Sequence, residues 1–125
     1  MIHESGEDYL ETILLLQNKN GSVRSIDIAR ELDYTKASIS RAMSILKKSN
    51  YITMDASGQI LLTDNGLSIA KEVYERHKLI TNYLMKSLGV AEETAAQDAC
   101  RIEHVISAET FEKIKQYVKE YWTSQ

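Results

Sequence analysis

Hydrophobic residues recur at helical spacing through most of the chain. Residues 5–19 place Leu10, Ile13 and Leu14 on one stripe, and Asn20-Gly21 is a typical helix stop. Residues 25–48 predict two further short helices, separated by a tight break at Asp33-Tyr34. Because proline is absent from the chain and strand-like alternation is confined to one short segment, we expect a mainly helical fold.

The two short helices and the segment that follows predict a winged helix-turn-helix. Ser25 is expected to cap the first of these helices and Thr35 the second, since hydroxyl oxygens accept hydrogen bonds from helix-start amides. Residues 51–63, YITMDASGQILLT, hold two short apolar runs around Ala-Ser-Gly, which is typical of a two-stranded hairpin. Such a hairpin beside a helix-turn-helix forms the wing.

Helical spacing resumes at about Asp64 with one long helix that Gly89 should end. Two helices over about 91–106 and 108–121 follow, with too many apolar positions for solvated helices. We therefore expect a winged-helix domain over residues 1–70 and an all-helical domain over 71–125. The apolar excess predicts packing of the second domain on the first and on a symmetry mate.

Charge is distributed unevenly along the chain. The net charge is −3, yet residues 35–51 carry four basic side chains and no acidic one. A local basic element on an acidic body favours a DNA-binding protein, although a solvated basic helix face is the alternative. The residues expected to face DNA are Ser25, Thr35, Lys36, Ala37, Ser38, Ser40, Arg41 and Lys47.

Base and phosphate contacts follow from the chemistry of these side chains. Lys36 and Arg41 can reach guanine or phosphate, and Ala37 can meet a thymine methyl. The small residues Ser38 and Ser40 permit close approach. The operator sequence does not follow from these contacts.

Targeting and redox signals are few. The chain has no run of about 18 apolar residues and no signal peptide, so we expect a cytoplasmic protein with no membrane segment. Cys100 is the single cysteine and cannot form an internal disulfide. It is a free thiol, a metal ligand or an inert core residue.

The segment DACRIEHV, residues 98–105, combines a thiol, a carboxylate and an imidazole. Offsets of three and four residues place Cys100, Glu103 and His104 on one helical face, so they can converge on one point. His77 lies on the apolar face of the long helix, and Asp8 and Glu11 form a carboxylate pair on the first. Each of these three also has an ordinary structural interpretation, as a satisfied core histidine or as acids near a helix start.

Five segments together resemble the DtxR/MntR family of metal-dependent transcriptional repressors. They are GEDYLETILLL, the helix-turn-helix VRSIDIARELDYTKASISRAMSILKKSNYI, LTDNGLSIA, YERHKLI and DACRIEHVIS. The resemblance covers about residues 7–121. It implies a winged-helix domain followed by a metal-binding and dimerisation domain, without the C-terminal SH3-like domain of the iron-type members.

The resemblance implies six metal ligands, namely Asp8, Glu11, His77, Cys100, Glu103 and His104. The set is a hybrid, because Cys100 resembles the iron-type members whereas Asp8 and Glu11 resemble the manganese-type members. Thr81 and Ala96 stand where relatives carry a glutamate and a histidine, which makes the iron-type ancillary site doubtful. A thiolate among these ligands favours Fe(II) weakly over Mn(II).

We therefore expect a homodimeric repressor that binds operator DNA when Fe(II) or Mn(II) occupies a site between the two domains, controlling metal homeostasis genes. The alternative is a metal-independent winged-helix regulator with another ligand. A non-haem iron enzyme using His77, Glu103 and His104 is a third hypothesis, but no second catalytic group is evident and we expect no enzyme.

Overall fold

Residues 4–122 are described by the computed structural model and form six helices and two short strands. In chain order these are α1 (Glu4–Asn20), α2 (Ser25–Leu32), α3 (Lys36–Lys48), β1 (Ile52–Met54), β2 (Ile60–Leu62), α4 (Asp64–Leu88), α5 (Glu92–Val105) and α6 (Ala108–Trp122). The mainly helical fold with a small wing is confirmed. The chain divides into two compact units, Met1–Glu72 and Val73–Gln125. The sequence-based domain boundary after residue 70 stays a prediction.

The first unit is built around one apolar core. Helices α1, α2 and α3 each contribute the stripe that their sequence spacing predicts, and each strand adds one inward residue. Burial of a large aliphatic side chain contributes about 1.5–3 kcal/mol, so this core holds the three helices and the wing together. Its fully buried members include Leu10, Ile13, Ile28, Ile39, Met43, Ile52 and Ile60.

Capping of the two short helices is only partly as predicted. The Thr35 hydroxyl accepts a hydrogen bond from the Ser38 N–H at 3.1 Å, which confirms the cap of α3. The predicted Ser25 cap of α2 is wrong, because the extended residue Arg24 is the N-cap and Ser25 is the first helical residue. The Asp27 carboxylate accepts a hydrogen bond from the Arg24 N–H at 2.9 Å. An acidic side chain inside the first turn of α2 therefore pairs with the backbone N–H of the N-cap residue.

The wing is an antiparallel pair whose turn is closed by an aspartate. Ile52 pairs with Leu62 and Met54 with Ile60. The Asp55 carboxylate accepts hydrogen bonds from the hydroxyl and the N–H of Ser57 and from the N–H of Gln59. These bonds, the Ser57 hydroxyl first, lower the pKa of Asp55 below its usual value, so the carboxylate is ionised at neutral pH.

Two further contacts attach the wing to the start of α2. The Ile60 N–H donates to the Val23 carbonyl at 2.8 Å, and the Arg24 guanidinium donates to the Ser57 carbonyl. Both contacts hold the turn end of the hairpin, and a two-stranded hairpin needs such support because it is marginally stable alone.

The second unit packs the C-terminal part of α4 against α5 and α6. Ile80, Ala99 and Phe111 form its buried centre, with Leu84 and Ile102 partly buried around them. Gly89 has φ of +71°, in the left-handed region that ends a helix, as its position after α4 predicts. Across residues 4–122, no helix combines the length and the apolar character needed to cross a bilayer.

Gly66 lies close to the backbone of Tyr51 in the first unit. The Tyr51 carbonyl accepts from the Thr63 N–H at 3.1 Å, and the Gly66 N–H donates to the Thr63 hydroxyl at 3.1 Å. A Cβ added at Gly66 would lie 2.0 Å from the Tyr51 carbonyl oxygen. Only glycine fits at this first turn of α4.

We expect Gly66→Ala to lower the free energy of unfolding by about 1–3 kcal/mol, because the backbone must shift to admit the methyl group. This loss opposes the gain of about 1 kcal/mol that alanine gives over glycine in a helix. Urea denaturation of the full chain measures it, with the exposed Ser68→Ala in the same helix as control. A Gly66→Ala protein as stable as wild type would contradict the close approach.

Candidate metal centre and nucleic-acid face

A buried carboxylate lies between two imidazoles in the second unit. Glu103 on α5 is 1% exposed. Its Oε2 lies 3.1 Å from Nδ1 of His77 on α4, and its Oε1 lies 3.3 Å from Nε2 of His104. The two ring nitrogens therefore meet opposite oxygens of one carboxylate.

Cys100 adds a thiol to this group, as the spacing on α5 predicts. Its Sγ, a Glu103 carboxylate oxygen and a His104 ring nitrogen all lie within 4.8 Å of one another. Cys100 is partly exposed, whereas the side chains of Glu103 and His104 are fully buried. The unit thus presents one thiol, one carboxylate and two imidazoles, which we call the α4/α5 cluster.

The chemistry of the α4/α5 cluster fits a divalent transition metal. Thiolate, imidazole and carboxylate are the ligand types that Fe²⁺, Co²⁺ and Zn²⁺ accept. Burial of an ionised carboxylate is costly unless it is paired, and Glu103 is buried beside groups that can themselves be ligands. The arrangement therefore suits a cation better than it suits an ordinary apolar core.

Arg76 connects the three helices around the cluster. Its Nη1 donates to the Glu103 backbone carbonyl at 3.4 Å, and its guanidinium lies over the Phe111 ring at 5.6 Å from the centroid. Phe111 belongs to α6, whose first turn Ser107 caps by accepting from the Thr110 N–H at 3.1 Å. Sequence analysis missed Arg76, because a lone arginine on a helix gives no signal of what it touches.

The remaining sequence-predicted ligands lie on α1 in the first unit. Asp8 and Glu11 are three residues apart on that helix, with Asp8 partly exposed and Glu11 8% exposed. Their assignment as ligands stays a prediction. Thr81 is a departure from the family pattern. Its hydroxyl donates a hydrogen bond to the His77 carbonyl of the same helix at 2.7 Å.

The residues predicted to face DNA lie on one exposed surface of the first unit, apart from the half-buried Ser25 at the start of α2. Helix α3 buries Ile39, Met43 and Leu46 and leaves its other face exposed. The exposed members of the predicted set are Thr35, Lys36, Ala37, Ser38, Ser40, Arg41 and Lys47. This arrangement meets the geometric requirement for a recognition helix, a polar basic face on a helix held by a core.

Fold and side chains together define a winged-helix protein whose second helical unit holds a cluster of potential metal ligands. Residues 1–58 match the family described as the iron dependent repressor N-terminal DNA binding domain. Residues 63–123 match the iron dependent repressor metal binding and dimerisation domain. The chain therefore belongs to the DtxR/MntR family of iron-dependent repressors, whose members are transcriptional regulators and not enzymes.

Two relatives align over nearly the whole chain. An uncharacterized HTH-type transcriptional regulator of Methanocaldococcus jannaschii is 30% identical over 94% of this chain and 95% of its own length. The HTH-type transcriptional regulator MntR of Shouchella clausii is 33% identical over 97% of this chain and 84% of its own. The predicted family and its class of function, metal-dependent transcriptional regulation, are confirmed.

Solved structures agree in fold. The crystal structure of ScaR with bound Zn2+ superposes with a TM-score of 0.77 at 27% identity, over 91% of this chain. A manganese-dependent transcriptional repressor in complex with manganese gives a TM-score of 0.84 at 23% identity, which bears on the fold alone. The chain spans about half the length of these two structures, 53% and 52% respectively.

We expect Arg76→Ala to destabilise the second unit by about 1–3 kcal/mol, since it removes a hydrogen bond to the cluster-bearing turn and the contact with Phe111. Hydrogen exchange should quicken at the C-terminal turn of α5. The neighbouring Glu75→Gln is the control, because its ion pair with Lys115 is exposed and contributes at most about 1 kcal/mol. Equal exchange in the two variants would remove Arg76 from this role.

Proposed function

We propose that the chain is a metal-activated repressor that binds operator DNA as a homodimer and controls metal homeostasis genes. The observation that carries the proposal is the α4/α5 cluster, in which Cys100, His77 and His104 surround one buried carboxylate. The exposed basic face of α3 supplies the DNA-binding half. The MntR relatives and the ScaR structure with Zn2+ support a divalent metal as the signal.

The proposed ligand set is the α4/α5 cluster together with Asp8 and Glu11, and the last two rest on the sequence alone. Three carboxylates, two imidazoles and a thiolate suit Fe(II), with Mn(II) disfavoured by the thiolate. We therefore favour Fe(II) weakly over Mn(II). Affinity should rise with pH because the cysteine must lose its proton to bind.

Activation follows in this proposal from the charge of the ligands. Three carboxylates and a thiolate repel one another when they converge. A bound divalent cation supplies the positive charge that offsets this repulsion. Since Asp8 and Glu11 belong to α1, which packs in the core of the DNA-binding unit, their ligation couples that unit to the metal signal. Such coupling is typically about 1–3 kcal/mol.

The proposed DNA contacts use the first turns of α3. Lys36 and Arg41 reach guanine or phosphate, Ala37 meets a thymine methyl, and Ser38 and Ser40 allow close approach. Thr35 and Lys47 contact DNA phosphates at the two ends of α3, and Ser25 contacts a phosphate from the start of α2. These contacts presuppose that the protein acts in the cytoplasm, beside the DNA it regulates.

Dimerisation is proposed to set the spacing of two such helices. The matched family domain is a dimerisation domain. Leu88, Val105 and Tyr117 are large apolar side chains of the second unit that stay 66%, 75% and 42% exposed in the single chain. In a two-fold dimer the two α3 helices must meet half-sites about one helical turn, or about 34 Å, apart.

We expect an anaerobic Co²⁺ titration of chelator-stripped protein to give a saturating thiolate-to-cobalt absorption band. The band should vanish in Cys100→Ser, because that residue is the single cysteine. Thr81→Ala is the matched control and should keep the band, since the Thr81 hydroxyl is bonded to its own helix. Cobalt binding without the band would remove Cys100 from the ligand set.

We expect DNA binding to require metal and to depend on Lys36. Duplexes selected from a random library with Fe²⁺-loaded protein provide the ligand, and fluorescence anisotropy measures affinity. Lys36→Gln should reduce the slope of log affinity against log salt by about 1 if Lys36 contacts a phosphate. The control is Lys71→Gln, an exposed lysine of α4. Undiminished binding by chelator-treated wild type would favour the metal-independent alternative.

A further inference from the structure

A cavity of about 580 Å³ lies between α1 and α3 in the first unit, at the edge of the apolar core and apart from the α4/α5 cluster. Its α3 wall is a continuous helical stripe of Ser38, Arg41, Ala42, Ile45, Leu46 and Ser49. The α1 wall is formed by Ser5, Gly6 and Tyr9, and Tyr51 closes one end. Small-molecule sites are usually concave spaces of about 300–1,000 Å³.

The apolar part of this cavity includes an exposed aliphatic side chain. Ile45 is 59% exposed although it is a large aliphatic residue. Ala42 and Leu46 extend the same apolar wall toward the core, and Leu46 is 4% exposed. A ligand with an apolar body would cover Ile45 and remove that surface from water, which is favourable by about 25 cal/mol for each Å².

The polar part favours an anion. Among the described lining residues Arg41 is the single charged one. Among residues 5–120, whose side chains the structure describes, its guanidinium makes no hydrogen bond or ion pair, so its donors can reach a ligand. Guanidinium binds a carboxylate by two parallel hydrogen bonds, which gives direction as well as energy.

Two tyrosines line the cavity together with Arg41. Tyr9 is held by an edge-to-face contact with Tyr34, with ring centroids 6.4 Å apart. Tyr51 and Ser49 also line the cavity.

We propose that this cavity binds a small organic carboxylate with an apolar body. Arg41 binds the carboxylate, and the apolar body packs against Ile45. Arg41 and Ser38 also belong to the proposed DNA face, so the bound carboxylate competes with DNA. That regulatory consequence rests on the proposed function, whereas binding itself does not. The cavity therefore gives the first unit a second chemical input, separate from the metal ligands.

The test uses octanoate as the probe and the full chain free of DNA and metal. Amide shifts in ¹⁵N-resolved NMR spectra report its position, and their titration gives the affinity. We expect saturable shifts confined to residues 5–9 and 38–51. Octan-1-ol, which has the same apolar body without the charge, should bind at least tenfold more weakly.

Variants separate this site from general apolar adsorption. Arg41→Gln should weaken octanoate binding about tenfold or more and leave octan-1-ol unaffected. Ala42→Phe should abolish both by filling the cavity, with circular dichroism confirming the fold. Lys47→Gln is the matched control, a basic residue of the same helix that does not line the cavity.

Octanoate binding that is unchanged in Arg41→Gln, or shifts spread over the whole chain, would overturn the site. Competition is read separately, as a loss of DNA affinity when octanoate saturates the cavity. Retained octanoate binding without competition would overturn the regulatory part. Failure of metal-dependent DNA binding would leave the octanoate titration intact, so the two proposals fail independently.

Discussion

The buried carboxylate of Glu103 is the constraint around which the second unit is organised. An ionised carboxylate costs several kcal/mol to bury unless partners compensate it, and here imidazoles of α4 and α5 lie 3.1 and 3.3 Å from the two oxygens of Glu103. Apolar residues of similar volume would pack the same space at lower cost. A unit that responds to a cation requires such convergent ligands in place of apolar packing. Arg76, through the Glu103 carbonyl and the Phe111 ring, stabilises the backbone around the cluster.

The DNA-binding unit has the opposite character. Its helices share one apolar core, and the close approach at Gly66 fixes the first turn of α4 against the residue before β1. Hydrogen bonds with Val23 and Arg24 hold the turn end of the wing beside the start of α2. In the proposal the control of this unit comes from the metal ligands and, independently, from the cavity beside Arg41.

Sequence patterning predicted the helices, the wing and the common face of Cys100, Glu103 and His104, because helical and strand periodicities are local properties. It failed at the start of α2, where Ser25 had the better side chain but the backbone of Arg24 and the carboxylate of Asp27 formed the cap. The pairing of His77 with Glu103 spans 26 residues, and spacing within one helix cannot predict such a contact. The cavity likewise depends on how α1 and α3 pack and leaves no mark in the sequence.

The central claim is that metal and DNA bind the same state of the protein. It is tested most directly by measuring metal affinity, by anaerobic competition with a chelator of known affinity, with and without a saturating selected duplex. Linkage requires that DNA tighten metal binding by the same factor by which metal tightens DNA binding. The account predicts a factor of about 5–150, the usual range for coupled sites. Equal metal affinity in the two conditions would contradict it.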